Sequence, residues 1–188
     1  MAKPQGCLTA DVVLILDWSS SESGNEARLA SAASEFISNL DISDVQLRVA
    51  VITFSNKTTV VSKLNGDKED LMSKVSALRL FDAGGGTWIT ESVQASLVML
   101  NNNRDVPKFV IIISDGIIPD APVASIYLQE AKSKIPLQVF AVQIADPSAV
   151  DVDDGFLTLS ALTGDSKKVS SSSITGLVES LKKLSLCN

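Results

Sequence analysis

The sequence predicts a doubly wound α/β domain: a mostly parallel six-stranded sheet with one antiparallel edge strand and helices on both faces. Three observations predict it. Short β-branched apolar runs alternate almost strictly with segments of helical periodicity. The runs lack polar alternation, as strands buried on both faces do. One pair of runs is separated only by Asn56-Lys57, the spacing of a tight hairpin.

Asp11 to Leu16, Leu47 to Phe54, Phe109 to Ile113 and Leu137 to Ile144 are the expected inner parallel strands. Thr58 to Lys63, after the Asn56-Lys57 turn, is the expected antiparallel edge, and Lys167 to Ser170 a short strand at the opposite edge. Between them, Leu29, Ala33, Phe36, Ile37 and Leu40 mark one helical face. Leu71, Val75 and Leu78 mark a second, and Val93, Leu97 and Leu100 a third. Further helices are expected from Ala121 to Lys132, from Phe156 to Leu162 with Gly164 as a stop, and along Ile174 to Leu184. Ser170 to Ser173 is expected to cap the last of these.

With 188 residues, 45% of them hydrophobic, the chain reads as a single domain over residues 1–188 with its core at about 10–185. A chain of this size can bury about 70% of its unfolded surface without metal staples. Aromatics make up only 5%, so that core must be aliphatic. Lys plus Arg is 16 and Asp plus Glu is 22, a net charge of −6 that argues against nucleic acid. No apolar run reaches the roughly eighteen residues of a membrane span, so membrane insertion is not expected. Met1 to Gly6 shows no apolar stretch of the secretion-signal kind. There is no histidine, which removes Ser-His-Asp and Cys-His nucleophiles and His-ligated zinc within this chain.

Ligands of open α/β sheets bind beyond the carboxyl ends of the parallel strands. Asp17-Trp18-Ser19-Ser20-Ser21 follows the first strand, Ser114-Asp115-Gly116 follows the Phe109 run, and Gly84-Gly85-Gly86-Thr87-Trp88 precedes the Val93 helix. Asp17, Ser19, Ser21, Thr87 and Asp115 together form an all-oxygen donor set suited to Mg²⁺, Mn²⁺ or Ca²⁺. An octahedral ion there keeps one position open for an outside oxygen, and an acidic side chain from a partner is the natural candidate. The glycines lack the spacing of a phosphate loop, and Asp146 to Asp154 lacks that of an EF-hand, so the latter reads as a solvated loop. Trp18, Trp88, Gly86 and Gly116 are the expected ligand-contact rim, with both tryptophans at least partly exposed. Taken alone, Ser19 to Ser21 could equally be a helix N-cap.

The string DVVLILDWSSSESG resembles the start of a von Willebrand factor type A domain. That family carries a metal-ion-dependent adhesion site built from Asp-x-Ser-x-Ser, a distant Thr and a distant Asp. Here the matching positions are Asp17, Ser19 and Ser21, then Thr87 in GGGT, then Asp115 in IIISDG. The likeness continues through RVAVITFS and DDGFLTLSALTG to the final helix. Three departures stand out: Trp18 where the family usually has Gly, Ile89 where it has a second Thr or similar residue, and Thr90 where it has Gly.

The resemblance implies a non-enzymatic adhesion or extracellular-matrix module that binds a protein ligand through the bridging cation. Collagen or another matrix protein is a candidate partner, and a structural or self-associating matrix element is the alternative. A further reading, metal-assisted hydrolysis, finds no second metal cluster and no histidine base. Cys7 and Cys187, the only cysteines, could be unrelated thiols or a strap joining the two ends. Family members with cysteines at these positions join them in a disulfide, which implies an oxidising, extracellular setting. The family also implies a last helix that slides on ligand binding, a motion such a bond would restrain. Asn56-Lys57-Thr58 fits the N-glycosylation pattern at an exposed turn.

Overall fold

The computed structural model describes residues 9–144 and 152–172. Its centre is a six-stranded sheet in the order β3-β2-β1-β4-β5-β6. The strands are β1 (Ala10–Asp17), β2 (Leu47–Phe54), β3 (Thr58–Asn65), β4 (Lys108–Ser114), β5 (Leu137–Ile144) and β6 (Val169–Ser172). All neighbours pair in parallel except β2 and β3, the predicted hairpin. β1 lies in the middle and all eight of its residues are buried, which is why its sequence shows no polar alternation.

Alternate residues of each strand feed two cores, one on each face of the sheet. Val12, Leu14 and Leu16 point to the face covered by α1 (Glu26–Ser38) and α2 (Lys68–Ala77), meeting Leu29, Phe36, Ile37, Leu71 and Val75. Val13 and Ile15 point to the face covered by α3 (Thr90–Leu100), α4 (Ala121–Lys132) and α5 (Val152–Thr163), meeting Val93, Leu100, Leu128, Leu159 and Leu162. α2 starts at Asp67, whose carboxylate accepts the Glu69 and Asp70 amides at 3.0 Å each. α3 turns buried serines as well as Val93 inward: the Ser92 and Thr58 hydroxyls lie 2.8 Å apart, tying α3 to the edge strand.

Several expectations shift. The last edge strand is Val169–Ser172 rather than Lys167 to Ser170, because Asp165 accepts the Lys167 amide at 2.9 Å and winds Ser166–Lys168 into a 3₁₀ turn. Ser170, Ser171 and Ser172 therefore pair with Val142, Gln143 and Ile144 as a strand, while the helix this run was expected to cap lies outside the described residues. α5 begins at Val152, so Asp153 and Asp154 occupy its first turn, where the helix dipole favours acids, rather than a loop. The expected helix along Ile174 to Leu184, Ser173, and both Cys7 and Cys187 lie outside the described residues.

At the amino-terminal end of the central strands is a feature absent from the sequence reading. Asp11, fully buried, accepts both nitrogens of the Arg48 fork at 2.9 Å, Arg104 at 2.5 Å, Lys108 at 2.8 Å and the Asn102 amide at 2.9 Å. Burial raises the Asp11 carboxyl, but bonds from Arg48, Lys108 and Asn102 outweigh it and hold the group far below the usual carboxylate range. Three cations around one carboxylate lock β1, β2 and β4 in register at the end opposite the loops that carry the candidate site.

Candidate metal centre

The site grows from the carboxyl ends of β1 and β4. Asp17 closes β1 with no exposed surface. Its Oδ1 accepts the Ser19 amide at 3.0 Å, which turns the chain sharply, and its Oδ2 accepts the Ser114 hydroxyl at 2.5 Å across the β1–β4 gap. The turn brings the Ser19 and Ser21 hydroxyls within 3.0 Å of each other. Ser19 is buried and Ser21 exposed, so the hydroxyl pair leads from the protein interior to its surface.

The glycine-rich loop is pinned to this turn through its backbone. The Gly84 amide donates to the Trp18 carbonyl at 2.9 Å, and the Ser20 amide and hydroxyl donate to the Gly85 carbonyl at 3.2 and 2.9 Å. From the hairpin tip, the Asn56 side-chain oxygen accepts the Gly86 amide at 2.6 Å, and the Ser55 carbonyl accepts the Trp88 amide at 3.1 Å. Gly85 has φ +87°, and a Cβ there would overlap the Asn56 side chain, so only glycine allows this approach. Thr87, half-exposed between these anchors, makes no side-chain hydrogen bond within the described residues.

Beyond Thr87, Ile89 stands where a helix cap belongs and has no side chain able to serve. Asp120, from the loop after β4, does the work instead. Its two carboxylate oxygens accept the Ile89 and Thr90 amides at 3.0 and 2.8 Å. The Asp120-Ala121-Pro122 sequence reads as the cap of α4, yet the side chain makes no bond there.

The third approach is Asp115, half-exposed, whose Oδ1 accepts the Ile117 amide at 3.0 Å. The Ser114 hydroxyl also accepts the Gly116 amide at 3.0 Å, so one serine orients both Asp17 and the Asp115 loop. Gly116 has φ +94°, and a Cβ there would overlap the Gly155 backbone, so the first turn of α5 lies flush against the loop.

Electrostatically the site is short of positive charge. Burial pushes the Asp17 carboxyl up to about 6, opposed by the Ser114 and Ser19 bonds and reinforced by the charge of Asp115. Glu22, also buried, is pushed up to about 8 by burial and then by the charges of Asp17 and Asp115. Among the described residues neither acid has a Lys or Arg partner, and no three or more Asp, Glu, Cys or His side chains are arranged as a metal cluster. Two carboxylates, three hydroxyls and a buried charge without a counter-ion fit a hard divalent cation. Ser114, Glu22 and Asp120 were not singled out in the sequence as parts of the site, and Asn56 was read there only as a turn residue and a glycosylation position. A hydroxyl beside Asp115 and an acid directly after Asp-x-Ser-x-Ser are the only local signals for the first two.

The expected rim divides. Trp88 is 52% exposed. Trp18, expected on the surface, is only 7% exposed: its indole packs into the core and donates to the Phe81 carbonyl at 3.2 Å. The chain after Asp17 continues inward, hydrogen-bonded from the Trp18 amide to the Phe54 carbonyl at 2.8 Å, before Ser19 to Ser21 turn out. Gly86 and Gly116 lie in the two loops described, and Asn56 is exposed at the hairpin.

The described architecture matches known structures closely in shape and weakly in sequence. The pilus adhesin SpaC from Lactobacillus rhamnosus GG superposes with a TM-score of 0.78 at 15% identity, covering 96% of this chain and 30% of that one. Proximal thread matrix protein 1 from the mussel byssus, solved with a zinc-occupied MIDAS motif, gives 0.76 at 17% identity, over 95% of this chain and 45% of that one. The manganese-loaded TRAP protein of Plasmodium vivax gives 0.72 at 21% identity, over 94% and 73%. The chain thus spans under half the length of the adhesin and the byssus protein. No curated protein matches its sequence. The family model for the von Willebrand factor type A domain matches residues 11–180. With that match over nearly the whole chain and the sheet order just described, the chain belongs to the von Willebrand factor type A domain family.

Proposed function

We propose that this domain is a non-enzymatic, extracellular adhesion or matrix module that binds a protein ligand through a divalent cation. Asp17, Ser19, Ser21, Thr87 and Asp115 would hold the ion, Mg²⁺ or Mn²⁺ with Ca²⁺ as the third candidate. When bound, such an ion supplies a hard positive charge that an acidic side chain of the partner can complete. The observation that carries the reading is the fully buried Asp17 carboxylate, oriented by Ser114 and Ser19 and facing no cationic side chain among the described residues. In a domain of net charge −6, an acidic partner needs that cation to approach.

The rest of the chain has supporting tasks. Ser114 holds Asp17 and the Asp115 loop, while Asn56 and Asp120 hold the two ends of the Thr87 segment. Trp88, Gly86 and Gly116 border the ligand position. An extracellular setting, with collagen or another matrix protein as candidate partner, agrees with neighbours that include a pilus adhesin and a byssus matrix protein. A Cys7 to Cys187 disulfide and a glycan on exposed Asn56 belong to the same reading. Isothermal titration of Mg²⁺ and Mn²⁺ tests it: uptake at millimolar concentration or below, abolished by Asp17→Ala, is expected. A wild-type protein that takes up neither ion would refute it.

The density of backbone bonds between the Ser20 and Gly85 loops favours a second reading, in which the ion chiefly stiffens a structural matrix element. EDTA would then lower the melting temperature and leave collagen binding unchanged, whereas the first reading expects both to fall.

A further inference from the structure

Behind the metal loop lies a cavity of about 570 Å³, between the β2–β3 hairpin and the segment that follows α2. We propose that it is a ligand subsite separate from the cation rim, one that takes a compact apolar group bearing a carboxylate. Its apolar side is made by Trp18, Val61 and Leu78, with Trp18 and Leu78 each only 7% exposed. The Trp18 indole N–H is already committed to the Phe81 carbonyl, so what Trp18 has left to present is hydrocarbon.

The other side is polar and unpaired. Thr53 and Thr59 are register partners on the antiparallel β2–β3 pair, so their side chains share one face, and Lys57 sits in the turn just before β3. All three line the cavity. Thr53 is 7% exposed, yet its hydroxyl makes no hydrogen bond within the described residues, and neither do the Thr59 hydroxyl or the Lys57 ammonium. The Thr53 hydroxyl is not sealed off, since the one enclosed side-chain polar atom without a partner among the described residues is Ser170 Oγ. Thr53 is thus left open to a ligand in the cavity it lines. Two hydroxyls and an ammonium on residues that line one cavity are donors for an anion. Lys74, which also lines it, is held by Asp70 at 2.6 Å, and exposed Asp82 is the one carboxylate on its border. The apolar side excludes a bare inorganic anion as the best fit and calls for a hydrocarbon body, aryl or branched alkyl. The source is a free acid of that kind or the C-terminal residue of a peptide, since both present the same chemistry.

The chain has two tryptophans, so an ¹⁵N-labelled protein shows two indole N–H resonances, one from Trp18 in the cavity and one from exposed Trp88. In EDTA, which removes the cation site from the measurement, 3-phenylpropionate is expected to shift the Trp18 resonance saturably and leave Trp88 in place. The uncharged 3-phenylpropanamide should bind about fivefold or more weakly, and Thr53→Val and Lys57→Gln should each cost about fivefold. Ala77→Phe, which fills the cavity from α2, should abolish the shift. Acetyl-Ala-Ala-Phe with a free C-terminus separates the sources: binding as tight as the free acid assigns a peptide end, and binding about tenfold weaker assigns the free acid. No saturable Trp18 shift by about 10 mM, equal response to acid and amide, or wild-type affinity in the folded Thr53→Val and Lys57→Gln variants would overturn the proposal.

Discussion

Replacing Asp11 with Asn is expected to be among the most damaging single changes in the domain, although Asp11 lies at the far end of the sheet from the candidate site. The substitution preserves shape and removes the charge on which Arg48, Arg104 and Lys108 converge. The two arginines are about one-fifth exposed and can turn to water, but Lys108 is 3% exposed and would be stranded as a buried cation. Removing one partner of a buried pair costs about 3–5 kcal/mol, a large share of the roughly 5–15 kcal/mol that holds a domain together. For a chain of this length that is a fall in Tm of roughly 6–20 °C. Lys108→Met, by contrast, leaves Asp11 with both arginines and should cost about 1–2 kcal/mol, because no buried charge is orphaned. Urea denaturation of both variants at neutral pH measures the order. An Asp11→Asn cost below about 1 kcal/mol, or Lys108→Met the worse of the two, would refute the reasoning. The same cluster sets an acid limit: the folded Asp11 carboxyl titrates below its unfolded value near 4, so its stabilisation is complete above that value and is lost as pH falls through the lower, folded one.

Ser114→Ala should leave the circular dichroism spectrum unchanged and weaken Mg²⁺ binding about tenfold by titration calorimetry, because Asp17 and the Gly116 amide both lose their orienting hydroxyl. Gly116→Ala should destabilise by about 3 kcal/mol in urea, combining a φ of +94° with overlap on Gly155; Gly155→Ala meets only the overlap and should cost about half as much. In EDTA, thermal stability should decline as pH rises from about 4.5 to about 8, since folded Asp17 and Glu22 keep protons that the unfolded chain releases. Glu22→Gln should flatten the upper part of that decline, and a flat profile in the wild-type protein would contradict the burial of these acids.

The elements were legible wherever one residue type had one physical outcome. Unbroken β-branched runs such as Leu47 to Phe54 became strands covered on both faces, and Asn56-Lys57 became the hairpin that puts β3 antiparallel at the edge. Trp18 was misplaced because its flanking residues are turn formers, while its burial depends on the Phe54 and Phe81 carbonyls, 36 and 63 positions away. Asp120 shows the same limit. Its local context marks it as the cap of α4, and its carboxylate in fact serves α3, whose N-cap position holds Ile89, a side chain that cannot cap.

What the sequence determined by itself is the chemistry at the strand ends: with no histidine and with Asp17, Ser19, Ser21, Thr87 and Asp115 after the right elements, oxygen donors were the one set available. Periodicity likewise determined which residues face the two cores. Only the tertiary structure decided which groups cooperate. Ser114 reaches Asp17, Asn56 reaches Gly86, and three cations surround Asp11 because strand pairing and the packing of the loops between strands bring together residues 30 to 97 positions apart. Local pattern carries no information about such pairings, since each partner alone is an ordinary polar residue at the end of a strand or in a turn.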